Sequence, residues 1–197
     1  MERILLVEPN YKNKYPPIGL MKISTYYKSK GDFVQYHKGI LPAMDVQSFD
    51  KIFITTLFTF DFDMCVETIR YYTIVAGHQK VFVGGIAATI MPERFEREVP
   101  GIQLLRGQLV SSNMIGYDDD VNIDILALDY DILWDIPYDS PAADSYFIYT
   151  SRGCPRHCSF CAVRILEPTF YECENVRGQI ERVDERFGMK KSLLIMD

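Results

Sequence analysis

The sequence predicts an α/β protein: an open, doubly wound parallel sheet of about five strands, followed by one strand–loop–helix–strand unit. Three observations predict it. Short, continuous apolar runs recur through the first hundred residues, as in strands buried on both faces. Segments of helical period separate them. A new apolar run then begins near residue 145, beyond a long acidic stretch.

The elements follow in order. RILLVEP (3–9) is a buried strand ended by proline. PPIGLMKISTYYKSKG (16–31) has proline entry, basic last turn and glycine exit, with Leu20, Ile23, Tyr26 and Tyr27 at helical spacing. FVQYH (33–37) is a second strand, and the β-branched and aromatic run KIFITTLF (51–58) a central one. FDMCVETIRYYTIVAG (62–77) predicts a helix with Met64, Cys65, Thr68, Ile69, Tyr72 and Val75 on its apolar face. KVFVGG (80–85) is a strand ended by two glycines, ERFEREVPG (93–101) a short helix and IQLLRG (102–107) a fifth strand. In such a sheet the ligand crevice lies at the carboxyl ends of the strands. Pro9, Thr55, Thr56, Gly84 and Gly85 are expected there. The two glycines suit either close approach of the backbone to a large ligand or a tight strand-to-helix turn.

Residues 108–144 are read as an inter-domain linker. Its Ile123, Ile125, Leu126, Leu128, Ile132, Leu133 and Trp134 are expected to pack between the flanking parts, with the aspartates in water. Residues 107–151 hold nine Asp and no Lys or Arg, and the sign reverses after them: residues 145–166 hold Arg152, Arg156 and Arg164 and no acid. SYFIYTS (145–151) predicts a strand, CENVRGQIERVDERFG (173–188) a helix and SLLIMD (192–197) another strand. This gives three parts: 1–107 a complete α/β domain, 108–144 the linker, and 145–197 the opening of a second, incomplete domain.

The chain has 197 residues, 48% hydrophobic and 24% charged, as in soluble globular proteins. No apolar run approaches the ~18 residues of a membrane span, and MERILLVEPN lacks the features of a signal peptide. A cytoplasmic protein is expected. A net charge of −6 argues against a general nucleic-acid surface. In a reducing compartment, bunched cysteines point to metal or redox chemistry rather than disulfides.

Those cysteines are Cys154, Cys158 and Cys161, in TSRGCPRHCSFCAVRILEP (150–168). Three thiolates on one short loop can converge on a soft metal centre. Three ligands on a four-iron cluster leave one iron open, whereas structural zinc sites use four closed ligands. Arg152, Arg156, His157 and Arg164 are expected to favour thiolates and offset the charge of such a centre. A zinc site with Cys173 or His157 as fourth ligand and a set of unliganded thiols are the alternatives. Cys65 is read as core, Cys173 as a first-turn residue of the last helix, and His37 and His78 as solvent-exposed.

C-P-R-H-C-S-F-C over residues 154–161, with a strand before it and a helix after, resembles the signature of the radical S-adenosylmethionine (SAM) superfamily. The resemblance implies that Cys154, Cys158 and Cys161 hold a [4Fe–4S] cluster whose open iron chelates SAM. It implies that Phe160 lies against the adenine. It further implies reductive cleavage of SAM to a 5′-deoxyadenosyl radical acting on an unknown substrate, a partial α/β barrel, and a reductant such as flavodoxin or ferredoxin. The first hundred residues resemble the Rossmann-like, cobalamin-binding-like domain that precedes many such barrels, on ILLVEPN, KIFITTLFTFD and KVFVGGIAATIMPE. That resemblance makes cobalamin a candidate ligand of the crevice at Thr55, Thr56, Gly84 and Gly85. Two departures stand out. QYHKGI lacks the D-x-H-x-x-G pattern of a cobalt-ligating histidine, and RGQL (106–109) replaces an acidic G-E-G-E segment. Radical SAM enzymes of this arrangement include methyltransferases and ring-forming enzymes. The chain alone is expected to be inactive, because SAM contacts come from later strands. A folded ligand-binding module and a zinc-stabilised interaction protein are the other function classes.

Overall fold

The computed structural model describes residues 1–134, 144–156 and 158–197. Residues 135–143 of the expected linker, and His157, lie outside the described residues. The first part runs β1 (Arg3–Glu8), α1 (Ile18–Ser29), β2 (Phe33–Lys38), α2 (Ala43–Val46), β3 (Lys51–Thr56), α3 (Phe62–Ala76), β4 (Val81–Gly85), α4 (Ile86–Ile90), α5 (Pro92–Glu98) and β5 (Gln103–Leu105). After three short 3₁₀ turns come β6 (Ser145–Ile148), β7 (Ser151–Arg152), α6 (Val163–Leu166), β8 (Tyr171–Glu172), α7 (Val176–Phe187) and β9 (Ser192–Ile195).

The five strands β1–β5 form one parallel sheet in the order β2-β1-β3-β4-β5. It is a Rossmann-like, doubly wound arrangement of the kind found in cobalamin-binding folds, and the order reverses between β1 and β3, the switch point beside which such sheets bind ligands. The period of two along β1 divides its side chains between two cores. Ile4 and Leu6 face α1, while Leu5 and Val7 face α3 and α5. All four are fully buried, which is why the strand reads as a continuous apolar run.

The α1 core does not stop at the sheet. Leu20, Met21 and Ile23 join Ile115, Ile123, Leu128, Tyr130 and Ile132 of the 3₁₀ segment, and these continue into Tyr146, Phe147, Ile148 and Val183. Of the apolar residues expected to pack there, Ile123, Leu128 and Ile132 are buried and Leu126 and Leu133 pack against the same core, with two exceptions. Ile125 is exposed, and Trp134 is 83% exposed with its indole N–H on Asp131 at 3.3 Å. The aspartates depart further from expectation. Asp129 is fully buried, accepting from the Ser24 hydroxyl at 2.6 Å and paired with Lys28 at 2.7 Å. Asp124 is also largely withdrawn from water.

The second part is a βαβ unit: β6 and β9 pair in parallel, with α7 between them in sequence. Asn175 caps α7 by accepting from the Gly178 N–H at 2.9 Å, and Gly188 ends it with φ of +71°. The single strand expected over 145–151 breaks after Ile148. Its end becomes β7, which pairs antiparallel with β8 across the cysteine loop. Cys173 is not in the first turn of α7. It follows β8, with its N–H on the Thr150 carbonyl at 2.9 Å. Among the described residues no helix is long and apolar enough to cross a membrane.

Candidate functional site

A cavity of about 510 Å³ opens at the carboxyl ends of β3, β4 and β5. The volume is in the range of small-molecule sites. Thr55, Thr56, Gly84 and Gly85 all line it, so the structure brings the four expected crevice residues together. Pro9 is not in the lining. Phe53, Phe82, Leu20, Ile23 and Leu105 make an apolar floor, and Tyr149, Arg152, Glu167 and Met196 of the second part make the facing wall. The site is thus shared by both parts of the chain.

Two of the four crevice residues have structural duties. The Thr56 hydroxyl donates to the Gly84 carbonyl at 2.9 Å and accepts from the Ala88 N–H at 2.9 Å, tying β3 to β4 and to the first turn of α4. Gly85 has φ of +102°, and a Cβ there would stand 2.3 Å from the Thr56 carbonyl oxygen. The tight strand-to-helix turn accounts for Gly85, whether or not a ligand approaches it. Thr55 and Gly84 are half-buried on the cavity wall.

The polar end of the cavity is a cluster that sequence reasoning missed. Lys22 Nζ lies 2.9 Å from Asp124 Oδ1, and Arg152 Nη1 lies 3.2 Å from Asp124 Oδ2. Arg152 Nη2 reaches Glu167 Oε1 at 2.6 Å, and its guanidinium covers the Tyr149 ring at 4.1 Å. The Gln108 amide, turned with its oxygen toward the guanidinium, accepts from Arg152 Nη2 at 3.1 Å and Nε at 3.2 Å. Burial lowers the pKa of Lys22 against the opposing pull of Asp124. Burial also works against the Arg152 cation, yet the Glu167 hydrogen bond and the Asp124 charge prevail and raise its pKa. Gln108 belongs to the RGQL segment. The one signal in the sequence was Lys22, set between Met21 and Ile23 on the buried side of α1, which requires an anion from elsewhere.

The cysteine loop hangs beside this cluster. Cys154, Cys158 and Cys161 are free and half-buried, and the Cys161 N–H donates to the Cys158 carbonyl at 3.2 Å. Among the described residues no three His, Cys, Asp or Glu side chains are gathered to hold a metal. The donor chemistry nevertheless suits an iron–sulfur centre: three soft thiols on one loop, with no acid between them. Arg156 and Arg164 are exposed on the loop and on α6. Arg152, expected to favour the thiolates, is instead engaged by Asp124 and Glu167. Phe160 is 90% exposed, over a shallow hollow with Ile90, Arg164 and Ile165.

The remaining candidates are dispersed. Cys65 is core, and burial pushes its thiol up to about 12. Cys173 stands apart from the other thiols, and burial raises its pKa. His78 is exposed, but His37 is half-buried, and burial lowers its pKa. Neither histidine lines the cavity.

No protein-family model matches the chain, and no curated protein does. Among the solved structures that match, two cover all of it. One is the radical SAM methyltransferase TsrM from Kitasatospora setae with cobalamin and a [4Fe–4S] cluster bound, at TM-score 0.66 and 15% identity. The other is the same enzyme with tryptophan substrate and the SAM analogue aza-SAM bound, at TM-score 0.62 and 17% identity. The chain spans about half the length of these structures, 49% and 48%. At that identity the likeness shows the fold: a five-stranded Rossmann-like sheet leading into a βαβ unit.

Proposed function

We propose that the chain is the cofactor-binding part of a radical SAM enzyme of the cobalamin-associated type. The observation that carries this reading is a coincidence of three features: a C-x3-C-x2-C loop, a cavity at the carboxyl ends of the strands of a Rossmann-like sheet, and one continuous fold that matches TsrM from end to end of the chain. Cys154, Cys158 and Cys161 would hold a [4Fe–4S] cluster, and the shared cavity would take cobalamin. When bound, such a cluster supplies one-electron reductive cleavage of SAM.

The chain's own residues have separable tasks in this reading. The three thiolates anchor the cluster and leave a fourth corner without a protein ligand. Arg156 and Arg164 balance its negative charge. Phe160, free of packing in the chain, offers a ring face to the adenine of SAM. The apolar floor of the cavity would keep water from a bound group, and among the described residues no histidine lines it. The reductant is a small electron-transfer protein such as flavodoxin or ferredoxin.

Anaerobic reconstitution with iron and sulfide tests the reading. Wild-type protein should turn brown and bind about four irons. The Cys154→Ala, Cys158→Ala, Cys161→Ala triple variant should stay colourless. A colourless wild type holding one zinc would overturn it. A second reading, a ligand-binding module whose loop carries no cluster, is favoured by one contrast: the cavity is already formed while the thiols are not gathered. Cobalamin titration of iron-free protein, followed by its visible spectrum, separates the two ligands. A spectral shift without any cluster in reconstituted protein would favour the module.

A further inference from the structure

Glu167 lies outside the cysteine motif, yet it closes the loop that carries it. One carboxylate oxygen, Oε1, accepts from Arg152 Nη2 at 2.6 Å and Nε at 3.0 Å. The other, Oε2, accepts from the Gly153 N–H at 2.7 Å. The chain thus leaves for the cysteines at residues 152–153 and is met on its return by the same side chain. Backbone reinforces this closure. Gly153 has φ of +72°, and a Cβ there would stand 2.3 Å from the Thr169 carbonyl oxygen. Arg152 also pairs with Tyr171 in the short β7–β8 ladder.

We infer, on the proposed function, that Glu167 is a positioning residue for the cluster: its bidentate grip on Arg152 and Gly153 fixes the stem of the cysteine loop so that the three thiols can converge. At the tip, the Cys161 N–H donates to the Cys158 carbonyl at 3.2 Å. A fixed stem shortens the segment that must be ordered when iron binds. A carboxylate near a thiolate centre would ordinarily oppose it. Here Arg152 neutralises the carboxylate, and the Arg152 charge is in turn anchored by Asp124 and, through it, Lys22. The clamp is therefore continuous with the polar end of the cavity.

Glu167→Gln tests this, with Lys191→Ala as a control that removes an exposed ion pair with Asp144 in the same part of the chain. In iron-free, reduced protein, hydrogen exchange at the Gly153 amide and alkylation of Cys154, Cys158 and Cys161 should each speed up about tenfold, the loss of a charge-assisted bond. Buried Cys65 should stay unreactive, showing that the change is local. After anaerobic reconstitution, the variant's cluster should be lost to a chelator about tenfold faster than the wild type's, a shift that a merely structural residue would not produce. If Glu167→Gln does not fold, Arg152→Lys keeps the cation, replaces the planar fork by a single point donor and is read in the same way. Unchanged loop exchange, or a loosened loop with unchanged cluster retention, would overturn the inference. Wild type that takes up no cluster would overturn the proposed function instead, and that result is distinct because wild type and variant would then hold equally little iron.

Discussion

The five-stranded sheet and the β6–α7–β9 unit are built on one pattern, parallel strands with a helix between, but they are covered very differently. In the sheet, helices lie on both faces, and Leu5, Ile52, Ile54 and Val83 are sealed. In the second unit, β6 is buried against Tyr130 and the 3₁₀ segment, while β9 turns Leu193 and Ile195 outward, the latter 58% exposed. Only Val183 of α7 is fully buried. Within this chain the sheet is the more completely covered of the two. The cysteine loop belongs to the less covered unit, and the cavity opens at the strand ends of the sheet.

Core truncation should expose this contrast most strongly. Phe53 stacks on Phe82 at 5.0 Å between the strands and packs on Tyr27. Phe53→Ala should cost about 3–5 kcal/mol in urea denaturation. Leu193→Ala should change stability by less than about 1 kcal/mol. Equal losses would mean that the two units are held alike, and the comparison would break.

A smaller effect should come from two glycines with the same constraint. Gly85 and Gly153 both have positive φ, and a Cβ at either would meet a carbonyl oxygen at 2.3 Å. Gly85→Ala strains the junction of β3, β4 and α4 and should lower global stability by at least about 2 kcal/mol. Gly153→Ala strains only the stem of the cysteine loop. It should speed alkylation of Cys154 while moving the denaturation midpoint less than Gly85→Ala does.

The smallest effect is electrostatic. Hydrogen bonds from Lys30 and from the Ser112 hydroxyl hold the Asp119 carboxyl well below its ordinary 3.8, and Tyr26 adds a third. The folded state therefore binds this proton less tightly than the unfolded state does. The stabilisation is present above pH 3.8 and is lost as pH falls toward the depressed value. Asp119→Asn should flatten the acid side of the profile of Tm against pH and leave its neutral side little changed in slope.

The sheet was legible in the sequence because strands buried on both faces announce themselves: RILLVE, KIFITT and VFVGG appear as strands within a residue or two of the expected bounds. Helix α1 was legible from its proline entry and its apolar spacing. The crevice residues were legible through the rule that ligands meet the carboxyl ends of parallel strands. The short elements α4, α6, β7 and β8 were not legible, because they are too brief to show a period. In α3 the buried face rotates, so that Phe62, Val66 and Thr73 are covered while Met64 is exposed. The polar cluster was hidden for a different reason. Asp124 and Asp129 stand in an acidic stretch that looks solvated, and nothing local distinguishes them from their neighbours. Only their distant partners, Lys22, Ser24, Lys28 and Arg152 among them, make them interior residues.

That separation has a consequence for the order in which the chain is made. Lys22 and its partner Asp124 are 102 residues apart, and Ser24 and Asp129 are 105 apart. At roughly 5–20 residues per second, a growing polypeptide presents the Lys22 ammonium some 5–20 s before its counter-ion emerges from the ribosome. Helix α1 therefore cannot settle against the sheet with its cation satisfied until translation has passed residue 124. Ribosome-bound chains halted before that point should leave α1 open to proteases, and chains halted well beyond it should not.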